Sequence, residues 1–151
     1  MATHQMDTIY INTDGGSRGN PGEAAIGVVF SDADGKELHV YQQCIGIATN
    51  NEAEYRAIIK ALELLTKSEW LSSNNISDKK VICRLDSQLV VEQINGNYKI
   101  KQDHLKALIA QIRGLVEQIH LNIQFIHIPR EQNKRADKLV NLALDEKQKV
   151  S

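Results

Sequence analysis

Two cysteines, two prolines, two phenylalanines and one tryptophan are all that 151 residues hold of those types, and the shortages exclude several kinds of protein. Cys44 and Cys83 both lie inside apolar stretches, far from zinc-type spacing. That pattern fits buried free thiols of a reducing compartment, not a disulfide-stapled secreted scaffold. No apolar run approaches the length of a membrane span, and the opening MATHQMD has neither the basic nor the apolar region of a leader. A cytoplasmic protein without a membrane anchor is expected. Charge of one sign is missing too, since 18 Lys+Arg against 19 Asp+Glu leave a net charge of -1. Without a global basic field, contact with nucleic acid has to come from a local patch or a metal ion. The length suits a single domain over residues 1–151, its core spanning about 7–147, large enough to fold without staples.

What is present is organised around Thr8 to Gly22, TIYINTDGGSRGNPG. Apolar Ile9 and Ile11 alternate with Tyr10 and Asn12, which predicts a strand with one face on a core and Asp14 at its carboxyl end. Gly15, Gly16, Gly19 and Gly22 with Asn20-Pro21 then give a backbone that turns tightly and approaches a ligand closely. Alone, the stretch fits equally well a strand and a hairpin loop with Asp14 as its turn residue. The rest of the chain decides, because it supplies three more carboxylates of the same kind.

Ala24 to Ser31 and Lys36 to Ala48, separated by the turn Asp32-Ala33-Asp34-Gly35, complete an antiparallel meander of three strands. From Glu54, apolar Ala57, Ile58, Ala61, Leu62 and Leu65 recur at helical period, so Glu54 heads a buried stripe. Trp70 to Lys80 is a polar connection. Val81 to Leu85 predicts a short strand ending at Asp86-Ser87, and Gln88 to Ile94 a short helix closed by Asn95-Gly96-Asn97. A longer helix follows from Lys101, with Leu105, Leu108, Ile109, Ile112, Leu115, Val116 and Ile119 on its core face. Ile123 to Ile128 is the last strand, stopped by Pro129, and the final helix carries Asp137 in its early turns. The order of elements predicts an α/β domain with one mixed sheet, in which strands four and five arrive through helical crossovers and lie parallel to their neighbours. Ligand sites of such sheets lie beyond the carboxyl ends of strands.

Asp14, Glu54, Asp86 and Asp137 can meet only through tertiary folding. Such a cluster is destabilising without a cation, and an all-oxygen donor set favours Mg2+ or Mn2+ over zinc. Glu52 competes with Glu54 for the role. It stands three residues after Thr49 in the S/T-x-x-E pattern of a capping box, and its helical face is mixed, so Glu54 is the expected ligand.

TDGGSRGNPG, TNNEAEY, LDSQLV and HIPREQNKRADKL resemble, in order and spacing, the motifs of ribonuclease HI over roughly the whole domain. The resemblance implies a ribonuclease H-like fold, a five-stranded mixed sheet of three antiparallel then two parallel strands with helices on both faces. It implies an endonuclease that cuts the RNA strand of an RNA–DNA hybrid, leaving a 3′-hydroxyl and a 5′-phosphate. Its acidic quartet falls on Asp14, Glu54, Asp86 and Asp137, holding two metal ions about 4 Å apart, one to activate water and one to stabilise the leaving oxygen. Asp14 is the natural bridging ligand. Family members often carry a histidine in a loop before the last helix; here His127 precedes Ile128-Pro129 as a strand end, and Arg130 occupies the loop. Both are candidates to assist turnover, with Arg130 preferred for contact with the scissile phosphate.

Sensing of the 2′-hydroxyl, by the same resemblance, falls on the backbone of Gly15 and Gly16 and on Asn20, Asn51, Ser87 and Gln88; the amides of Asn20, Asn51 and Gln88 offer donor and acceptor together. Thr49 is either a DNA-phosphate ligand or a helix cap. Many bacterial relatives carry a longer basic protrusion with tryptophans where this chain has NGNYKIKQDHLKAL, which holds only Lys99, Lys101 and Lys106, so modest, salt-sensitive affinity is expected. A monomer is expected. The rival readings are a non-cleaving RNA- or hybrid-binding module of the same fold, disfavoured because no quartet carboxylate is lost, and a DNA-acting nuclease of the superfamily, such as an integrase or resolvase.

Overall fold

The structure, a computed structural model, describes residues 7–72 and 78–150. Strands β1 (Thr8–Gly19), β2 (Gly22–Ser31) and β3 (Glu37–Ala48) form the antiparallel meander, joined by short turns. Helix α1 (Asn50–Thr66) and the one-turn α2 (Glu69–Ser72) lead toward β4 (Lys80–Leu85), which pairs parallel with β1. Helices α3 (Gln88–Ile94) and α4 (Asp103–Ile119) lead to β5 (Asn122–His127), parallel to β4. A 3-10 turn over Arg130–Gln132 enters the last helix, α5 (Lys134–Val150). The sheet order is β3-β2-β1-β4-β5, the expected five-stranded mixed sheet. Among the described residues no helix is long and apolar enough to cross a membrane.

Two expectations change. β1 does not stop at Asp14. Gly15 to Arg18 stay extended because Glu23 to Ile26 of β2 supply ladder partners, and the pairing closes at Gly19, whose φ of 96° starts the turn through Asn20-Pro21 to Gly22. What ends there is the pairing of β1 with β4, whose last matched residues are Asn12 and Arg84. The polar connection over Trp70 to Lys80 begins inside α2, while its residues 73–77, like 1–6 of the opening segment, lie outside the described residues.

The alternating pattern of β2 explains the layers. Val28 and Phe30 face a core built with Ile9 and Ile11 of β1, Tyr55, Ile58 and Leu62 of α1, and Leu105, Ile109 and Ile112 of α4. Ala25 and Val29 point the other way and pack beneath Ala136, Leu139, Val140 and Ala143 of α5. Helices therefore cover both faces, and burying one Leu or Ile of this kind contributes about 2 kcal/mol.

Two missing side chains set how closely the helices approach. A Cβ on Gly15 would fall inside the contact distance of the Ala53 carbonyl of α1, and a Cβ on Gly27 would lie 2.5 Å from the Ala136 carbonyl of α5. Gly27 is the ladder partner of Asp14, and Gly15 follows Asp14 directly, so both helices press on the sheet at the same carboxylate. A Cβ on Gly16 would meet nothing nearer than 3.8 Å. In urea denaturation, Gly15→Ala and Gly27→Ala are expected to cost about 1–3 kcal/mol each through overpacking, with Gly16→Ala near neutral. Equal stability of all three variants would refute this account of the helix approach.

Candidate metal centre

Asp14 stands where the sheet changes character, with the antiparallel ladder to β2 continuing on one side and the parallel ladder to β4 finished on the other. This is the switch point at which open α/β sheets place ligands. Asp86 follows β4 directly. Glu54, in the first turns of α1, arrives from the opposite face of the sheet to α5, and its Oε1 accepts the Gly15 N–H at 3.2 Å. Asp137 sits in the first turn of α5. Asp14, Glu54 and Asp86 each offer a carboxylate oxygen within 4.8 Å of the others. Asp137 stands outside that tight group, but its charge helps raise the Asp14 carboxyl and it lines the same cavity of about 460 Å³.

Electrostatics make the cluster unstable as it stands. Burial pushes the Asp14 carboxyl up to about 8, with the charges of Asp86 and Asp137 adding to the rise. Burial, then Asp14 and Asp86, also hold Glu54 well above the usual carboxylate range. Burial raises Asp86 as well, opposed by a hydrogen bond from the Asn133 side chain and by the charge of Arg130. Three oxygen donors held this close, and driven to take up protons without a counter-charge, fit a hard divalent cation.

Glu52 is occupied elsewhere. Its backbone N–H donates to Thr49 Oγ1 at 3.1 Å, and its Oε1 accepts the Thr49 N–H at 3.0 Å, the reciprocal capping box of α1. The hydrogen bond from the Thr49 backbone holds the Glu52 carboxyl below its ordinary value. Thr49 is thereby a cap. Ser87 caps α3, accepting the Val90 N–H at 3.3 Å, and Asn20 Oδ1 accepts the Asn50 N–H at 3.0 Å, tying the β1–β2 turn to the start of α1. Asn51 is half-buried and Gln88 exposed, and neither lines the cavity. Gly15 and Gly16 do line it. His127 ends β5 in an exposed position opposite Leu85, whereas Arg130 lines the cavity beside Asp86.

Three polar residues at the site were not singled out from the sequence. Asn50 Oδ1 accepts the Ser17 N–H at 2.9 Å on the cavity wall. Arg18 also lines the cavity and donates to Asp145 of α5 at 2.7 Å. Asn133 is wholly buried, donates from Nδ2 to the Thr13 carbonyl at 2.9 Å, and accepts the Asp137 N–H on its own carbonyl. Asn50 opens α1 and Asn133 stands just ahead of α5, positions where an asparagine is ordinarily explained as part of a helix start.

Residues 12–143 match the family described as reverse transcriptase-like. LC11-RNase H1, isolated from compost by a metagenomic approach, is 47% identical, with 95% of this chain and 99% of that one covered and a TM-score of 0.87. The same enzyme in complex with an RNA/DNA hybrid superposes with a TM-score of 0.85 at 46% identity, covering 93% of this chain and 99% of that one. A bifunctional protein of Mycobacterium tuberculosis is 40% identical over 138 residues, which cover 91% of this chain but 35% of that protein, so the chain spans about a third of that relative's length. A ribonuclease H of Ruthia magnifica is 33% identical, with 93% of this chain and 97% of that protein covered. With relatives matched along nearly their whole length and the same fold, the chain belongs to the ribonuclease H family.

Proposed function

We propose that this chain is an endoribonuclease that hydrolyses the RNA strand of RNA–DNA hybrids, leaving 3′-hydroxyl and 5′-phosphate ends, with two Mg2+ or Mn2+ ions held by Asp14, Glu54, Asp86 and Asp137. The observation that carries the reading is the convergence of Asp14, Glu54 and Asp86 oxygens within 4.8 Å in a cavity that Asp137 also lines. The hybrid found on LC11-RNase H1 supports the substrate class. The site takes every carboxylate from one chain, which supports action as a monomer, and two free thiols are in keeping with a cytoplasmic protein.

When bound, the cations supply Lewis acidity and a hydroxide-like nucleophile at neutral pH. The chain's own residues do the rest. Asp14, at the switch point, would hold the cations together with Glu54, Asp86 and Asp137. Arg130, on the cavity wall, places a fixed positive charge and planar donors toward the scissile phosphate. Gly16, where a Cβ would make only ordinary contacts with Val140 and Asn50, leaves backbone accessible to the minor groove, where only RNA carries a 2′-hydroxyl. Asn20 and Thr49 are engaged with the start of α1, so their part in recognition is to shape the wall that presents Asn50.

Asp14→Asn and Glu54→Gln are expected to abolish cleavage with a parent-like circular dichroism spectrum, whereas Glu52→Gln keeps turnover and loses about 1 kcal/mol of stability with half of its capping box. Near-normal turnover in Asp14→Asn would sink the metal assignment. Single-turnover rates should fall more for Arg130→Ala than for His127→Ala; the reverse order would transfer the helper role to the strand end. On matched substrates, the RNA strand of a hybrid should be cut and an all-DNA duplex spared, and comparable cleavage of the DNA duplex would refute the recognition argument.

The raised Asp14 carboxyl also fixes the sign of a pH effect in metal-free protein. Its folded value, about 8, lies above the ordinary 3.8, so folding takes up a proton, and stability is greatest at low pH and falls as pH rises through about 8. With chelator present, the melting temperature should therefore drop between pH 5 and pH 8.5 on the order of several degrees, and Asp14→Asn should flatten the profile. A parent profile that rises over this range would contradict the electrostatic reading.

A further inference from the structure

Beside the carboxylates runs a chain of polar side chains that no step above uses. Arg84, two residues before Asp86 on β4, stacks its guanidinium 4.4 Å from the ring centroid of Tyr10 and donates Nε to Asn12 Oδ1 at 2.8 Å. Asn12, two residues before Asp14 on β1 and directly across the ladder from Arg84, donates Nδ2 to Asn133 Oδ1 at 3.1 Å. Asn133 is wholly buried, its Nδ2 donates to the Thr13 carbonyl at 2.9 Å, and its side chain faces Asp86 closely enough to help hold that carboxyl down.

The orientation of both amides follows from one group. A guanidinium can only donate, so it requires the oxygen of Asn12 to face it and turns the Asn12 NH2 outward. That NH2 in turn requires the oxygen of Asn133, which leaves the Asn133 NH2 for the Thr13 carbonyl and for Asp86. A flipped Asn133 would set a carbonyl oxygen against a carboxylate and against the Thr13 carbonyl, two repulsive contacts in a buried place. Asn12 and Asn133 thus connect β1, β4 and the entrance to α5, the three segments that carry Asp14, Asp86 and Asp137.

We propose that Arg84 and Asn12 are positioning residues of the metal centre, setting through Asn133 the donor polarity that holds Asp86 in its ligating orientation. The proposal rests on the reading of the carboxylate cluster as a cation site. Outer hydrogen-bond partners of metal ligands characteristically affect metal affinity by ten- to a hundredfold. Arg84 serves at a distance, because a charged donor forms the stronger hydrogen bond and the Tyr10 ring restrains its plane.

Asn12→Asp separates this relay from simple electrostatics. It keeps the shape and retains an acceptor for Arg84, but replaces the NH2 facing Asn133 with a second acceptor. Added negative charge alone would tighten cation binding; the relay requires binding to weaken. Mn2+ binding is to be measured by electron paramagnetic resonance on the nucleic-acid-free protein, at a temperature where circular dichroism shows each variant folded. The expected result is a loss of about tenfold in Mn2+ affinity for Asn12→Asp and for Arg84→Ala, with Arg84→Lys, another donor-only side chain, restoring most of it. Parent-like or tighter binding by Asn12→Asp overturns the relay while leaving the metal site in place. Failure of Arg84→Lys to recover more affinity than Arg84→Ala overturns it as well. Absence of Mn2+ binding by the parent protein overturns the metal reading and this proposal with it.

Discussion

Asp14, Glu54 and Asp86 repel one another at a separation where burial has removed most of the screening; of the two arginines on the cavity wall, Arg18 is paired with Asp145 and Arg130 relieves Asp86. A chain that brings them together must hold them against that repulsion with contacts made elsewhere. Here those contacts are the apolar stripes of α1 on one face of the sheet and of α5 on the other. Gly15 and Gly27 let both helices seat against the strands that flank Asp14. Stability is thus spent locally to create a place where a small, hard cation is the natural counter-charge.

The same frame explains why the surroundings are rich in amides and poor in cations. A guanidinium or ammonium placed directly on the carboxylates would compete with the metal. Neutral donors orient an anionic ligand without displacing its cation, and Asn133 meets that requirement from a wholly buried position. Positive charge is kept one layer out, at Arg84 behind two amides and at Arg130 on the open wall of the cavity. Arg130 lines the cavity itself, whereas Arg84 is held against Tyr10 on the sheet.

Recognition and reaction share β1. Asp14 and Gly16 are two residues apart on an extended strand, so their side-chain positions point to the same face. One brings a carboxylate and the other bare backbone to the same cavity. Asn50, tied to Ser17 and through its own N–H to Asn20, closes the wall beside them. The rigidity of this corner comes from a paired strand and a capped helix start, which suits a site that must distinguish substrates by a single hydroxyl.

Periodicity and local chemistry made most of the fold legible in advance: the stripe from Glu54 through Leu65, the alternation of β2, the strand ending at Asp86 and the Thr49–Glu52 capping box all depend on neighbours in sequence. The same locality separated Glu54 from Glu52, because a helix face and a cap are properties of residues within two turns. The extent of β1 was not legible, since Gly15 to Arg18 stay extended only with β2 beside them, and glycine has no preference of its own for that state. Nor was the importance of Asn12, Arg84 and Asn133, which lie 72 and 121 residues apart along the chain and acquire direction only when each has met its partner. Residue types, helical periods and the four acidic positions were therefore determined by the sequence itself, because each rests on short-range sterics and burial. Which oxygen converges on which, and which end of an amide faces a carboxylate, was decided by tertiary structure alone, because hydrogen-bond polarity is settled by the partner and not by the residue.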